Sequence, residues 1–491
     1  MKLKSVKLNF IYLSLYKMLE LLLPLVTSPL LSRRLGAEAL GIYSYTYSIV
    51  SLFVVIAELG FYRYGLREIA KVRDNQKQLN QTYSNIFFTH IINALVVLSL
   101  FIFSVFCFYQ TSDKKFLLIQ GILIFNNLID NSFLYIGLEN IKPIAIRDGM
   151  TKLIAFALII LLIKSPDDLM VYITLMALSA TISKLISLLY SRKFVTFIKP
   201  EIKVCMTIYR PMLLLMIPAL ASVIYQSMDK IMIGWFYNET HVGYYDCASK
   251  ALIPRNIITA LGTVLCPSIA NLYASNQKEI AKQKITYSFT VSMIMALSFM
   301  FGISAIAQDF APWFWGKSFA TCSPMLIGLS ISIPIWTIGE VIRNQFLLPT
   351  GRDKEYTWVF VAGVVTNAIV NSILIPQYGA MGAIIATTVA EIEMSLIQLY
   401  LVRKDLPLVK QLLTLWPYLL AGMFMLLTVQ LVHAMSINFY TVKILLEILS
   451  GFLSFVIFTL ILEKLSQTKI ITGLLGNIVY KYLKKCKKEI I

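Results

Sequence analysis

The sequence predicts an all-α, polytopic membrane protein with 14 transmembrane helices, on the strength of its composition and the length of its apolar runs. Of the 491 residues, 58% are hydrophobic and only 14% are charged, and the mean hydropathy is +0.73. A soluble domain cannot bury that much apolar surface. The apolar runs are about 20 residues long, as in membrane-spanning helices, and lack the alternation over about 10 residues that marks a barrel strand.

Charged residues and turn residues divide the chain into the predicted spans. The first apolar run is too long for a cleaved signal peptide and has no small-residue cleavage site, so we interpret it as a signal anchor. The number of runs is even, which places both termini on the same side of the membrane. The predicted spans are 9–31, 40–62, 83–109, 116–138, 144–164, 168–190, 211–236, 243–272, 286–308, 322–346, 356–376, 380–402, 411–433 and 441–463.

Positive charge is distributed unequally between the two sides of this arrangement. Thirty of the 44 lysines and arginines fall on the side that holds the N-terminus, six fall on the other side, and eight fall inside spans or at their edges. Because cytoplasmic loops of membrane proteins are enriched in Lys and Arg, this distribution predicts cytoplasmic N- and C-termini. The net charge of +18 is then explained by topology and by anionic head groups, so nucleic acid is not expected as a partner.

Several functional classes lack their sequence signatures. There is no GxxxxGK[ST] motif, and the predicted loops reach only about 20 residues, so we expect neither an ATP-driven pump nor an enzyme and assign no catalytic residues. The six cysteines form no CxxC motif, and the three histidines are far apart. We therefore predict no metal site and no bound cofactor.

Two stretches of the chain, Pro24 to Val50 and Pro218 to Lys250, share an order of features. Each has a proline in an apolar run, then a charged pair, a glycine, a short polar loop and a Gly-x-Tyr motif. The glycines of these motifs, Gly41 and Gly243, are 202 residues apart. The stretches indicate an internal repeat, as in many secondary transporters. Similar apolar composition without homology is the alternative explanation.

A second pair of similar stretches, YIGLENIKP from Tyr135 and LLPTGRDKE from Leu347, lies about 210 residues apart. We therefore predict two pseudo-symmetric six-helix lobes and two additional C-terminal helices. The predicted divisions are an N-terminal lobe over 1–200, a C-terminal lobe over 201–405, the additional helices over 406–465, and a basic amphipathic cytoplasmic tail over 466–491.

Charged side chains inside the spans are the candidate functional residues, because a cation at the bilayer centre costs on the order of 2.5–3.5 kcal/mol. The alternative is structural pairing at helical i, i+3 spacing, as for Lys17 with Glu20 and Arg343 with Glu340. Lys184 and Lys443 are expected to extend to an interface instead. The cations that we single out are Lys17, Lys230, Lys250, Arg255 and Arg343, and the acids are Glu20, Asp130, Asp229, Glu340 and Glu391.

The run PLVTSPLLSRRLGAEALGIYSYTYSIVSLFVVIAELGFYRYGLREIAKVRDN, from Pro24, resembles the N-terminal signature of Wzx-type polysaccharide flippases. These belong to the superfamily of multidrug, oligosaccharidyl-lipid and polysaccharide exporters. The stretches FLYIGLENIKPIAIRD, SMDKIMIGWF and IPQYGAMGAIIATTVAE are also similar, so the resemblance spans about 9–405. It implies a two-lobed helical bundle that moves undecaprenyl-diphosphate-linked oligosaccharide repeat units from the inner to the outer leaflet of the bacterial cytoplasmic membrane. The implied process is surface polysaccharide synthesis, capsule-like or O-antigen-like, with membrane lipids, a polymerase and glycosyltransferases as partners.

Under this resemblance, the charges inside the spans gain roles in alternating access through a cationic cavity between the lobes. The five cations would pair the diphosphate, arginine through bidentate contacts, and Tyr43, Tyr45, Tyr47, Tyr225, Tyr244 and Tyr245 would contact sugars or anchor the helices at the interface. Export of two negative charges across 100 mV yields roughly 4–5 kcal/mol at about 2.3 per charge, so the membrane potential is one possible driving force. Coupling to H⁺ or Na⁺ through the acids is the other.

Arg33 and Arg34 lie on the outer side, among only six positive charges there. They therefore oppose the charge bias of the chain, which makes them candidates for diphosphate binding or for closing an outer gate with an acid. A head-group anchor is the alternative. Two other functions remain open: a flippase for lipid II-type peptidoglycan precursors, and a multidrug/cation antiporter of the same fold, which would require an acidic cavity.

Overall fold

The computed structural model describes residues 3–109, 111–140, 142–435, 437 and 439–466. Within these residues the regular secondary structure is helical, with no strand. The protein is therefore all-α, as the composition predicts. The predicted tail over 466–491 lies outside the described residues except for Ser466.

Ten α-helices lie in the first half of the chain, and a 3₁₀ turn over Pro166–Asp168 precedes the eighth. They are α1 (Leu3–Glu58), α2 (Phe61–Val72), α3 (Gln76–Phe108), α4 (Thr111–Gln120), α5 (Ile122–Ile129), α6 (Ser132–Gly137), α7 (Lys142–Leu162), α8 (Leu169–Ser191), α9 (Ile202–Phe236) and α10 (Glu239–Ser249).

Eight α-helices follow, with 3₁₀ turns at Lys250–Leu252 and Lys317–Phe319 and a short π-helix at Arg343–Leu347. They are α11 (Arg255–Ala274), α12 (Lys278–Trp315), α13 (Cys322–Ile342), α14 (Asp353–Tyr378), α15 (Ala380–Val402), α16 (Leu408–Leu413), α17 (Trp416–His433) and α18 (Tyr440–Ser466).

Eleven helical segments among the described residues are long and apolar enough to cross a membrane. The first of them, Met18–Val72, contains residues 18–31 of the first predicted span and the whole of the second. The predicted spans 116–138 and 144–164 are also helical but are not among the eleven. The structure is thus a multi-pass helical protein, and the count of fourteen crossings stays a prediction.

The break predicted between the first two spans is present, because α1 consists of two helices that meet at a kink. The kink lies at Gly36, whose backbone adopts φ 78° and ψ 176°. Glycine reaches a positive φ without the steric cost that a Cβ imposes. Both helices extend into the predicted eight-residue loop, which is therefore reduced to this kink, with Arg33 and Arg34 shortly before it.

The fourth predicted span is divided into α4, α5 and α6. The breaks fall at Gly121 and at Asp130–Asn131. At the second break the Asp130 carboxylate accepts hydrogen bonds from the backbone N–H of Ser132 at 2.9 Å and from its hydroxyl at 2.6 Å. These bonds satisfy polar groups at the start of α6, which would otherwise lack partners.

The chain divides into two compact units, Met1–Asp246 and Cys247–Ile491. The core of the first unit contains Phe61, Phe133 and Met212, and the core of the second contains Phe289 and Tyr418. Helix α9, which we predicted as the first span of the second lobe, packs on α1, α2 and α3 and belongs to the first unit. Packing therefore divides the chain later than the predicted lobe boundary at residue 200, while the division into repeats stays a prediction.

Candidate functional site

The first unit contains a polar cavity of about 730 Å³. Its wall combines carboxylates, amides and tyrosine hydroxyls with apolar groups, which is unusual for segments of this hydropathy. The residues that line it are Tyr16, Tyr47, Ser51, Val54, Glu58, Phe61, Tyr62, Leu123, Asn126, Asn127, Asp130, Ser132, Ile136, Ile144, Ala145, Asp148, Ala180 and Lys184.

Asp130 and Lys184 form an ion pair on this wall, with the lysine Nζ 2.5 Å from the aspartate Oδ2. Lys184 Nζ also lies 3.3 Å from the hydroxyl of Ser132. The pair joins α8 to the break between α5 and α6. The prediction that Lys184 extends to an interface is wrong, because Asp130 holds its ammonium group at the cavity.

Glu58 is the acid on this wall for which the described residues offer no hydrogen-bond or ion-pair partner. It ends α1, directly before a turn in which Leu59 and Gly60 both have positive φ, 49° and 65°. This turn redirects the chain into α2 and leaves the Glu58 side chain at the cavity. Glu58 is therefore a carboxyl group that can bind a proton or a cation.

Asp148 is the third carboxylate of the cavity wall. Its Oδ1 lies 2.8 Å from Nε of Arg147 and also accepts a hydrogen bond from the Ser183 hydroxyl. With Glu58, Asp130 and Asp148 against Lys184, the lining of this cavity is richer in acids than in bases. This differs from the cationic path that the resemblance implies.

Glu20 lies beside a second cavity of about 380 Å³ in the first unit, together with Lys152. Lys152 Nζ is 2.7 Å from Glu20 Oε1, and the hydroxyl of Tyr16 donates to the same oxygen at 2.8 Å. The side chain of Lys17 lies outside the described residues, so its predicted pairing with Glu20 stays a prediction.

The two similar stretches of the sequence meet at their glycines within the first unit. A Cβ added to Gly41 would lie 1.7 Å from the carbonyl oxygen of Glu239, and one added to Gly243 would lie 1.9 Å from that of Ala37. The contact is reciprocal, because each carbonyl belongs to the residue four positions before the other glycine. Only glycine permits so close an approach of two helices.

Polar bonds surround this glycine contact. The Ser44 hydroxyl donates to Asp246 Oδ1 at 2.9 Å, and Lys230 Nζ lies 2.6 Å from the same oxygen. The Tyr245 hydroxyl donates to buried Asp229 at 2.5 Å. Ser44 and Asp246 are 202 residues apart, the same offset as the glycines. Equivalent positions of the predicted repeat therefore touch, and Lys230 and Asp229 each have a protein partner.

The tyrosines that we singled out have different surroundings. Tyr45 and Tyr245 are buried, and the Tyr45 ring packs directly against Gly234. Tyr47 is 44% exposed and lines the polar cavity, where its ring stacks on that of Tyr43 with centroids 5.9 Å apart. The structure thus leaves Tyr47 accessible to a bound molecule in that cavity.

Arg34 binds the end of a helix. Its Nη1 donates to the backbone carbonyl oxygens of Ile160 at 2.7 Å and Ile163 at 2.6 Å. The last carbonyls of a helix have no partner within that helix, so the guanidinium satisfies them at the end of α7. Arg33 beside it is exposed. A diphosphate or gating role for this pair stays a prediction, and Arg34 has a structural role in any case.

The predicted cations of the second unit have protein partners too. Buried Arg343 lies 3.3 Å from Glu340 Oε2, the i, i+3 pair expected from the sequence, and Asn344 donates to Glu340 Oε1 at 2.7 Å. Arg255 donates to the Ser332 hydroxyl and lies 5.0 Å from the centroid of the Trp336 ring.

Lys250 and Glu391 complete the predicted residues of the second unit. Lys250 begins the 3₁₀ turn before α11, and Glu391 is buried in α15 with 2% of its surface exposed. Substrate binding by the cation and coupling by the acid stay predictions.

A further charged cluster of the second unit joins α12, α17 and α18. Asp309 Oδ2 lies 2.6 Å from Nδ1 of His433 and 2.8 Å from Nζ of Lys443. With Glu447, these acids and the histidine place their donor atoms within 4.8 Å of one another, close enough for a metal ion. The lysine ammonium already supplies positive charge there, so Lys443 is paired instead of extending to an interface.

The candidate site residues therefore omit Asp148 and three charged residues that were recognised in spans or at their edges, Glu58, Lys152 and Lys184. All four contribute to the cavities of the first unit. One signal was available in the run FNNLIDN, from Phe125, which places four polar residues within a predicted span. Discontinuous helices with polar residues at the break are typical of transporter binding sites. The pairing of Lys152 and Lys184 with acids on other helices depends on tertiary structure and has no such signal.

The helices and the polar cavity define a multi-pass membrane protein with ionised groups inside its bundle. Residues 6–273 match the model of a family described as "Polysaccharide biosynthesis protein". This match covers more than half of the chain, and the chain belongs to that family. The resemblance to polysaccharide flippases predicted from the sequence is thereby confirmed.

Individual proteins agree with this membership. The chain is 21% identical over 404 residues to a Shigella dysenteriae protein named "Putative O-antigen transporter", which covers 81% of this chain and 100% of that protein. Its fold is similar to that of a lipid II flippase, MurJ, in an inward closed conformation, with a TM-score of 0.72, 17% identity and coverage of 93% and 99% of the two chains. An inward-facing multidrug transporter of the MATE family gives a TM-score of 0.60 at 13% identity, covering 82% and 99%.

Proposed function

We propose that this protein is a flippase for lipid-linked oligosaccharides. It moves undecaprenyl-diphosphate-linked repeat units from the inner to the outer leaflet of the cytoplasmic membrane by alternating access. Membership of the polysaccharide biosynthesis family supports the proposal, as do relatives named for O-antigen transport and for glycan flipping. These relatives are transporters by name, which favours transport over catalysis.

The polar cavity of the first unit is the observation that carries the proposal. Burying sugar hydroxyls without partners is costly, so a glycan needs a path lined with hydrogen-bonding groups. The wall offers such groups in Asn126 and Asn127, and it offers an exposed aromatic ring in Tyr47. Carboxylates accept hydrogen bonds from hydroxyls, and amides both accept and donate them. An aromatic face packs on a sugar ring. We assign the glycan, rather than the diphosphate, to this cavity.

Glu58 is the acid that we propose for proton coupling. The other acids for which the sequence suggested this role have described partners: Glu20 binds Lys152, Asp130 binds Lys184, and Glu340 binds Arg343. A paired carboxylate resists protonation because the cation favours its charged form. Glu58 forms no ion pair among the described residues, although Lys184 and Arg63 act on it through space, and it lines the cavity.

Transport in proteoliposomes tests both statements. The assay measures how much lipid-linked oligosaccharide becomes accessible to an added glycosidase, with a proton gradient or with a membrane potential alone. We expect Glu58→Gln to lower proton-driven transport roughly tenfold or more, a barrier increase of about 1.4 kcal/mol. Asp74→Asn, an exposed acid outside the cavity, is the matched control and should transport normally.

The outcomes separate the two statements. Equal rates for Glu58→Gln and the native chain under both conditions would overturn the coupling role and leave the flippase. Failure of the native chain to expose the oligosaccharide under either condition would overturn the flippase itself.

A multidrug/cation antiporter is the second candidate function. Glu58 favours it, since carboxylates attract organic cations and Glu58 has no ion-pair partner among the described residues, whereas Asp130 and Asp148 are paired with Lys184 and Arg147. Export of a fluorescent cation by the same proteoliposomes, without oligosaccharide movement, would select this function over the first.

A further inference from the structure

A further groove lies between α7 and α8, and its lining includes Arg147, the neighbour of Asp148. The two helices are antiparallel, with Ser179 donating to the Thr151 carbonyl at 3.2 Å. The groove has a volume of about 580 Å³. Its lining includes an apolar wall and a cationic end.

The apolar wall consists of side chains that the protein leaves uncovered. Ile146, Met150 and Ile154 of α7 are 46%, 54% and 55% exposed. Ile182 and Ile186 of α8 are 49% and 45% exposed. In a membrane-spanning bundle such side chains contact lipid chains, so the wall faces the hydrocarbon of the bilayer.

The cationic end is formed by Lys142 and Arg147 near the start of α7. Lys142 is exposed, and its ammonium lies 5.6 Å from the centroid of the Tyr12 ring. The N-terminus of α7 adds the positive end of a helix dipole beside it.

Arg147 is the unusual member of this end. Only 8% of its surface is exposed, and its Nε is bound to Asp148. Its Nη2 is buried and has no hydrogen-bond partner among the described residues. Buried guanidinium donors are nearly always satisfied, because an unmade bond to a charged group is costly. Arg147 lines the groove, and a bound acceptor that reaches Nη2 would satisfy it.

We propose that this groove binds an anionic phospholipid, with its phosphodiester on Arg147 and Lys142 and an acyl chain along the isoleucine wall. Asp148 neutralises one of the two cations, which leaves a single excess positive charge for the single negative charge of a phosphodiester. A polyprenyl diphosphate carries more negative charge than this site compensates. The ammonium of a zwitterionic head group would meet Lys142, so phosphatidylglycerol fits better than phosphatidylethanolamine.

The charge distribution of the chain assigns this end of α7 to the cytoplasmic leaflet. The groove shares Ile144 with the lining of the polar cavity, and its proposed occupant goes beyond the proposed transport function. Its occupant would be a resident lipid that fixes the α7–α8 hairpin in the bilayer.

Native mass spectrometry of the full chain tests the proposal. The protein is purified from a mixture of phosphatidylglycerol and phosphatidylethanolamine, and the retained lipids are counted. We expect the native chain to retain one phosphatidylglycerol preferentially. Lys142→Gln should weaken that preference roughly fivefold, the change expected when one basic contact to an anionic lipid is lost.

Lys142 is exposed, so this variant makes little demand on folding, while Arg147→Met tests the buried donor. Lys203→Gln removes an exposed lysine that is not part of the groove and should leave lipid retention unchanged. Retention by Lys142→Gln equal to that of the native chain would overturn the proposal. Replacement of phosphatidylglycerol by equimolar undecaprenyl diphosphate would also overturn it, because it would make the carrier lipid the occupant.

Discussion

The pair Asp130–Lys184 of the first unit and the pair Glu340–Arg343 of the second use the same chemistry in different surroundings. The first joins residues on different helices and lies on a cavity wall, with 17% and 28% of the two side chains exposed. The second joins residues one turn apart, with 11% and 8% exposed. Charges inside membrane-spanning segments therefore have two roles here: some line an open space and others are part of the packed interior.

The largest effect on stability is expected in the second unit. Arg343→Ala should lower the free energy of unfolding by about 3–5 kcal/mol, because it leaves Glu340 buried without its cation. Thermal unfolding in detergent measures this loss. The double variant Arg343→Met/Glu340→Leu removes both charges and should recover most of the stability. If the double variant is as unstable as the single one, the ion pair is not the cause.

An intermediate effect is expected on the cavity wall of the first unit. Lys184→Ala should lower the free energy of unfolding by about 1–3 kcal/mol, since Asp130 keeps the two hydrogen bonds from Ser132. The transport rate should also fall, by more than the loss of folded protein explains, because the variant adds a net negative charge to the cavity. Asp130→Asn/Lys184→Gln preserves the net charge and serves as control. Native transport in Lys184→Ala would make this pair structural, like the pair in the second unit.

The smallest effect is expected for Lys152, whose side chain is 38% exposed beside a Glu20 side chain that is 29% exposed. Lys152→Ala should cost about 0.2–1 kcal/mol, because Tyr16 still donates to Glu20. The measurement is the same thermal unfolding series. A loss of unfolding free energy as large as that of Arg343→Ala would show that the contribution of these ion pairs to stability does not depend on their burial.

Much of the fold could be predicted from residue patterns. Runs of about 20 apolar residues predict helices, because in the hydrocarbon of a bilayer a helix is the single segment that satisfies its own backbone hydrogen bonds. The i, i+3 pair of Glu340 and Arg343 was equally local and is confirmed. The kink at Gly36 was harder to predict, because a glycine among polar residues is compatible with both a loop and a bent helix.

The candidate site was less predictable. Lys230, a basic residue inside a span, was expected to line a cationic path, and it lies against Asp246. Arg34, on the outer side, was a candidate for diphosphate binding or gating, and it donates to carbonyl groups at the end of α7. Both contacts join residues distant in sequence or on separate helices. Their partners therefore depend on how the helices pack, which cannot be predicted from the spacing of residues along the sequence.

The sequence by itself determined that this is a helical membrane protein that resembles polysaccharide flippases, because hydropathy and local motifs are properties of neighbouring residues. It also contained the two glycines, Gly41 and Gly243, whose stretches resemble each other. Tertiary structure decided that these glycines touch, that Lys184 and Asp130 meet, and that Glu58 lines a cavity without an ion-pair partner among the described residues. The physical reason is that burial and electrostatic pairing depend on distances between helices, whereas sequence patterns specify only distances along a single helix.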